Sequence, residues 1–155
     1  MHCEFTNGRS RERKSQLEVL AFGAMAFTPH TIGTKLASMT LEAAGFVVQR
    51  FHEGAKLDLA GFEENRRVRQ QLGGAGPYKM LSILPEDIDF ELSVLGTDHF
   101  GAAAEIAGLS ALAVVANGQL IQGVSAIFFK YFPPQFPARI FNNEKDARAW
   151  LDAQP

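Results

Sequence analysis

The run Ala111-Leu112-Ala113-Val114-Val115-Ala116 (ALAVVA) is apolar at every position, and its reading decides the fold class. A run this short, apolar on both of its alternating faces, marks a strand covered on two sides, as in parallel sheets flanked by helices. Tyr78 to Leu84 (YKMLSIL), ended by Pro85, reads as a second central strand. Between the two, Thr97 is placed to cap a helix with its body at about Phe100 to Ala107, since Ala102, Ala103 and Ala104 are strong helix formers.

Downstream, Asn117-Gly118 opens a helix to about Tyr131, Pro133-Pro134 turn the chain out of it, and Ala138 to Phe141 form a short edge strand. A last helix follows Asn143, with Ala147, Trp150 and Leu151 on one face, so that Trp150 anchors it to the sheet. Upstream, Leu36 to Leu41 and Phe46 to Phe51 flank Ala43-Ala44-Gly45 and predict an antiparallel hairpin. Asp58 then caps an amphipathic helix carrying Leu59, Phe62, Asn65, Val68 and Leu72, closed by Gly73-Gly74. On that helix Glu63 and Arg67 stand four apart and are expected to pair, with Arg66 and Arg69 on the solvated side. The element order is ββαβαβαβα: an α/β fold with a mostly parallel sheet, an antiparallel N-terminal hairpin, and helices packed on it.

At 155 residues the chain is one domain long and folds on an ordinary apolar core. A content of 46% hydrophobic and 21% charged residues excludes disordered and fibrous classes. Fifteen basic against seventeen acidic residues give a net charge of −2 and no positive field to draw the protein onto nucleic acid. The single cysteine, Cys3, forms no intrachain disulfide, which fits a reducing cytoplasm. Residues 1–34 are expected to be a partly disordered N-terminal extension and residues 35–155 the α/β domain. Within the extension, residues 1–16 read as a mobile tail. Arg9, Arg11, Arg13 and Lys14 precede the apolar run Leu17 to Phe27, and the Ala24-Met25-Ala26 triplet has the form of a signal cleavage site. Glu18 interrupts that run, which favours an extension or extra strand over an export signal. The run is also shorter than the ~20 residues a membrane span requires.

No spacing specifies a chemistry. Glu86, Asp87 and Asp89 (in PEDID) follow a strand end, where α/β folds place ligands, yet they lack a calcium-loop pattern and read as a solvated loop. Asp98 and His99 are adjacent, so their side chains diverge by about 100° on a helix. His99 is expected at a cap or surface. The cluster Gly73 to Pro77 (GGAGP) follows a helix and precedes a strand, the reverse of a phosphate loop, and no lysine and hydroxyl pair follows it. No cofactor and no tightly bound metal are expected.

The stretch VVANGQLIQGVSAIFFKYFPPQFPARIFNNEKDARAWL, Val114 to Leu151, resembles the STAS-like families related to the sporulation anti-anti-sigma factor and the SEC14 lipid-transfer domains, especially small bacterial members of unknown function. The resemblance extends over about Lys35 to Leu151. It implies a non-enzymatic binding or regulatory module that acts by protein-protein interaction. Anti-sigma antagonists carry a phosphorylated serine or threonine at a helix start after a central strand. Thr97 is the nearest positional match and hence the candidate regulatory position, without the Asp-Ser-small-Gly setting and with a plain helix cap as the alternative.

The helix after Gly118 carries Leu120, Ile121, Val124, Ile127, Phe128 and Tyr131 within a stripe of about 120°, the width of a face laid on a sheet. Phe129 projects from the opposite side, Phe132 lies at the stripe's edge, and Phe136 sits in the proline loop. These three rings are the candidate partner or ligand surface. Either the proline loop or the N-terminal extension covers them, or they form an apolar patch for a second copy, a regulatory partner or a lipid. The expected protein is a homodimer built through the aromatic helix and proline loop. Its alternative is a carrier of an apolar small molecule, with an enzyme using Glu86, Asp87 or His99 as the remote third reading.

Overall fold

A computed structural model describes residues 27–74, 76–101 and 108–155. Cys3, the 1–16 tail, most of the Leu17 to Phe27 run and the 102–107 part of the expected alanine helix lie outside the described residues. Strands β1 (His30–Gly33), β2 (Ala37–Ala43) and β3 (Phe46–Phe51) form an antiparallel meander. A two-residue strand, β4 (Lys56–Leu57), leads into α1 (Leu59–Gly73) and then β5 (Tyr78–Leu84). After β5 come β6 (Asp89–Phe90), the short helix α2 (Leu92–Leu95) and β7 (Leu109–Ala116). The chain ends with α3 (Gln119–Tyr131), β8 (Ala138–Phe141) and α4 (Glu144–Asp152).

The main sheet has the order β1-β2-β3-β5-β7-β8, and β4 pairs with β6 in a second, two-stranded ladder. From β3 onward every pairing in the main sheet is parallel, with Leu81 opposite Ala113 and Val115 opposite Phe141. The expected order is present apart from the helix at about Phe100 to Ala107, most of which lies outside the described residues, and there are three additions: β1, the β4/β6 ladder and α2. Strand β1 precedes the expected domain start at residue 35 and extends the hairpin to three strands. Two-residue strands and a four-residue helix carry no periodicity, which is why the sequence does not announce them.

Strand pleating divides the core in two. Val47, Met80, Leu112 and Val114 face α1 and α3, whereas Val48, Leu81, Ala113 and Val115 face α4. Under α4 the strands present Ala111 and Ala113, and the helix answers with Ala147 and Leu151, all fully buried. Small side chains on both sides bring that helix close. Trp150 packs at the margin against Phe141, ring centroids 5.7 Å apart, as the anchoring expectation required. Asn143 caps α4 by accepting from the Asp146 amide at 2.8 Å, and Lys79 Nζ donates to the carbonyl oxygens of Leu151 and Gln154 at its other end. Arg148 bridges Glu42 and Glu144, and Glu144 also receives both terminal nitrogens of Arg50. Arg50 first, and Arg148 after it, hold the Glu144 carboxyl below the usual carboxylate range.

Helix α1 begins where expected: Asp58 Oδ1 accepts from the Gly61 amide at 2.7 Å. A Cβ at Gly61 would collide with the buried Leu36 side chain, so glycine sets the approach of α1 to the start of β2. Two expectations on this helix are corrected. Glu63 pairs with Arg66, one turn away at i+3, rather than with Arg67. Arg69 is 5% exposed rather than solvated, because it falls with Gly61, Asn65 and Leu72 on the buried stripe. That i, i+4, i+8, i+11 spacing was legible; the charge of arginine masked it.

Leu151→Ala is expected to destabilise the domain by about 2–5 kcal/mol, the range for a buried leucine truncated in a close-packed site. Leu92→Ala, at a side chain 80% exposed, is expected to change it by less than about 0.5 kcal/mol. Urea denaturation of the two variants checks the contrast.

Candidate binding site

On the α1 and α3 side of the sheet, pleating turns two polar side chains inward among apolar ones. Gln49 and Ser82 are register partners, both are buried, and Gln49 Nε2 donates to Ser82 Oγ at 3.0 Å. Both line a cavity of about 90 Å³ walled largely by Phe51, Phe62, Phe90, Phe100, Phe128 and Phe129. With about 10–15 Å³ per water-sized sphere, that space holds several waters or one small apolar group.

The rings around the cavity touch in series. Phe62 of α1 stacks on His99 with centroids 4.3 Å apart, and His99 stacks on Phe128 of α3 at 5.6 Å. Phe128 meets Phe129 at 5.6 Å and Phe132 at 5.4 Å, while Phe100 lies 6.4 Å from both Phe129 and Phe136. Paired rings contribute about 0.5–1.5 kcal/mol beyond their buried area, so the set ties α1, residues 99–100, α3 and the proline loop together. His99 is therefore part of an interior ring stack and not the surface or cap residue expected. Its Nε2 lies 2.8 Å from the Val94 carbonyl oxygen. A carbonyl only accepts, so Nε2 carries the hydrogen and Nδ1 is bare in the neutral ring. Burial pushes the imidazole down from its ordinary value, against the opposing pull of the Val94 carbonyl and Asp98.

Beside the cavity lies an open cleft of about 550 Å³, to which Gln49, Asn65, Arg69 and His99 contribute. The Arg69 guanidinium carbon sits 5.2 Å from the centre of the Phe100 ring. Arg69 Nε, Asn65 Nδ2, Gln49 Oε1 and the Tyr78 hydroxyl are buried with no hydrogen-bond partner among the described residues. Burial pushes the Arg69 guanidinium down and the Tyr78 hydroxyl up from their ordinary values, and their proximity opposes both shifts. Thr34 Oγ1 donates to Asn65 Oδ1 at 2.6 Å, which leaves the Asn65 amide nitrogen turned to other partners. Each buried donor left unmatched costs about 1–3 kcal/mol, and such groups are few in folded proteins. Three of the four groups, on Gln49, Asn65 and Arg69, belong to residues that line the cleft and form the polar part of the candidate site.

The face of α3 turned to the sheet is only partly the one expected: Ile121, Val124 and Phe128 of the predicted stripe line the cavity, and the other three residues do not. Ile121 and Ser125 are buried and Phe128, Phe129 and Phe132 half-buried, whereas Leu120, Ile127 and Tyr131 are 77%, 54% and 74% exposed. The apolar arc of this helix is wider than the sheet can cover, and the flat rings take the cavity side. Phe129 and Phe136 consequently pack against the main core cluster, and Phe132 packs on Phe128. The three rings nominated from sequence thus have partners within the chain, and Leu120, Ile127 and Tyr131 are the apolar side chains left in solvent. Thr97 is exposed, and its hydroxyl donates to the Ser93 carbonyl oxygen at 3.0 Å, at the end of α2, and to no helix-start amide among the described residues. One residue on, Asp98 Oδ1 accepts from the amides of Phe100 and Gly101; the helix body expected after them lies mostly outside the described residues. Glu86 and Asp87 are exposed beyond the C-terminal end of β5, beside Asn117, Asn142 and Glu144 in a separate surface cleft. Among the described residues, no three His, Cys, Asp or Glu side chains group as metal ligands do.

A family model described as SpoIIAA-like matches residues 35–152. The chain belongs to the SpoIIAA-like family. No curated protein matches it. Solved structures that resemble it include an uncharacterised protein with a SpoIIAA-like fold from Shewanella loihica, at 16% identity over 80% of this chain and 92% of that one, TM-score 0.46. Apo-SiaC from Pseudomonas aeruginosa matches at 13% identity over 74% and 98%, TM-score 0.45. An anti-sigma factor antagonist from Mycobacterium paratuberculosis matches at 12% over 81% and 95%, TM-score 0.42. The mixed sheet with helices packed on it agrees with SpoIIAA-like membership. Among the described residues no helix is long and apolar enough to cross a membrane.

His99 supplies a pH signature for this SpoIIAA-like domain. The folded state holds the imidazole neutral more readily than the unfolded chain does, so unfolding takes up a proton below the ordinary value of 6.5. Stability is expected to fall as pH is lowered through that value, before the carboxylates titrate. His99→Gln, measured by urea denaturation from pH 7.5 to about 5, is expected to flatten this dependence.

Proposed function

We propose that this SpoIIAA-like domain is a non-enzymatic regulatory module that works by protein-protein contact in the cytoplasm and pairs with a second copy of itself through α3 and the proline loop. The observation that supports it is the outward row of Leu120, Ile127 and Tyr131. Scattered exposed apolar side chains are ordinary, but these three share one side of a helix within about 40°, at about 100° per residue, and form a continuous strip. Half-buried Phe132 and Phe136 follow in the adjoining loop and extend the apolar surface. Family membership and the presence of a single cysteine in the sequence are consistent with this role. Exposed Thr97 is the position where phosphorylation would act on a partner without disturbing the core.

Light scattering is expected to give a dimer for the wild-type chain and a monomer for Ile127→Asp, with unchanged circular dichroism. A monomeric wild type over the same concentrations contradicts self-association.

A second role, holding an apolar small molecule or lipid, is favoured by the ring-lined cavity to which Phe129 contributes. Native mass spectrometry after gentle purification is expected to show an apolar adduct on the folded chain if this role operates. Bare protein alone argues against it.

A further inference from the structure

Most buried cations in proteins have an acidic partner, and Arg69 has none among the described residues. Its neighbours on the cleft are Asn65, whose amide nitrogen is unmatched, and Gln49, whose amide oxygen is unmatched. All three side chains are more than nine-tenths buried. Polar groups this well buried are matched in nearly every native structure, by protein, water or ligand. A fixed guanidinium fork beside an amide donor is a receptor for an anion.

The surrounding charges restrict which anion fits. Arg66, also on the cleft, is neutralised by Glu63, and Asp98 adds a negative charge at the rim. Arg69 is therefore the cation of this lining without an ion-pair partner among the described residues, and with Asp98 at the rim the lining carries no net positive charge, which suits a monoanion and opposes a phosphate dianion. The walls restrict the rest of the molecule. Gln49, Phe62, His99 and Phe100 belong both to this cleft and to the apolar cavity behind it. A ligand with its charge on Arg69 thus has aromatic faces for its body within one molecular length.

We propose that the cleft between α1 and residues 97–100 binds a small organic monocarboxylate, with the carboxylate held by Arg69 and Asn65 and the apolar body lying against Phe62, His99 and Phe100. The site extends beyond protein-protein contact and stands whether or not α3 pairs with a second copy. It rests on the small-molecule role in needing the cavity walls, and it adds the charged group that a purely apolar carrier lacks.

Isothermal titration of the full chain with hexanoate and with benzoate tests the site, with hexanamide, benzamide and inorganic phosphate as matched controls. The expected result is saturable binding of at least one carboxylate, weaker by about tenfold or more for its amide. Arg69→Met is expected to lose that binding while its unliganded melting temperature stays level or rises, because an unmatched buried charge has been removed. Arg69→Lys, which keeps the charge but not the fork, is expected to bind with reduced affinity. Should Arg69→Met not fold, Asn65→Ala replaces it in the affinity comparison. Equal binding of acid and amide would overturn the anion site while leaving the apolar carrier intact, and tighter binding of phosphate would overturn the choice of carboxylate. Absence of carboxylate binding to the wild-type chain would overturn the site outright.

Discussion

The parallel pairing of β5 and β7 is the constraint on which the rest depends. Both strands are covered on two faces, so every second residue must suit a different helix layer. On one face β7 supplies Ala111, Ala113 and Val115, and α4 settles closely through Ala147 and Leu151. On the other face the same strands supply Leu112, Val114 and Met80, and Ser82 stands in the same row. There the covering residues are large rings from α1, α3 and the proline loop, which pack on one another as much as on the sheet. Alanine against alanine lets α4 approach the sheet closely, whereas large ring against large ring leaves space between edges, here a cavity of about 90 Å³. The hollow side of the domain follows from which alanines lie under α4.

That asymmetry separates two surfaces. The interior of the ring layer gathers Gln49, Ser82, His99, Asn65 and Arg69, polar groups brought in by the alternation of β3 and β5, by the buried stripe of α1 and by the segment after α2. The exterior of α3 presents Leu120, Ile127 and Tyr131. One helix thus serves both surfaces, with Ile121, Phe128 and Phe129 turned inward and Leu120, Ile127 and Tyr131 outward. A ligand in the cavity and a partner on α3 would share that helix, which offers a physical route for one to influence the other.

The sequence made most of the architecture legible because it is written in periodicities. Two apolar runs of strand length, the Asp58 and Asn143 caps, and the Gly45 turn placed the hairpin, the parallel strands and three helices, with Ala138–Phe141 at its observed bounds. The candidate site was far less legible, for reasons that particular residues display. Arg69 occupies a core spacing, but its charge argues for solvent until the fold shows where that stripe lies. On α3 the apolar arc takes in more than half the helix circumference, about 200° at about 100° per residue, so the pattern could not choose between the Leu120 side and the Phe129 side. His99 next to Asp98 looked like a helix end because nothing local reveals that Phe62 and Phe128, far away in sequence, enclose it. Distances across the sheet decide all three cases.

The claim that unites these observations is that the two faces of the sheet differ in kind, one closed and one hollow. Xenon enters apolar cavities without needing polar partners, and methyl-labelled NMR reports where it goes. Under xenon pressure the account predicts shifts at the methyl groups of Val114, Ile121 and Val124, which border the cavity, and none at Val48, Leu81 or Leu151 beneath α4. Shifts of similar size on both faces, or only beneath α4, would contradict it.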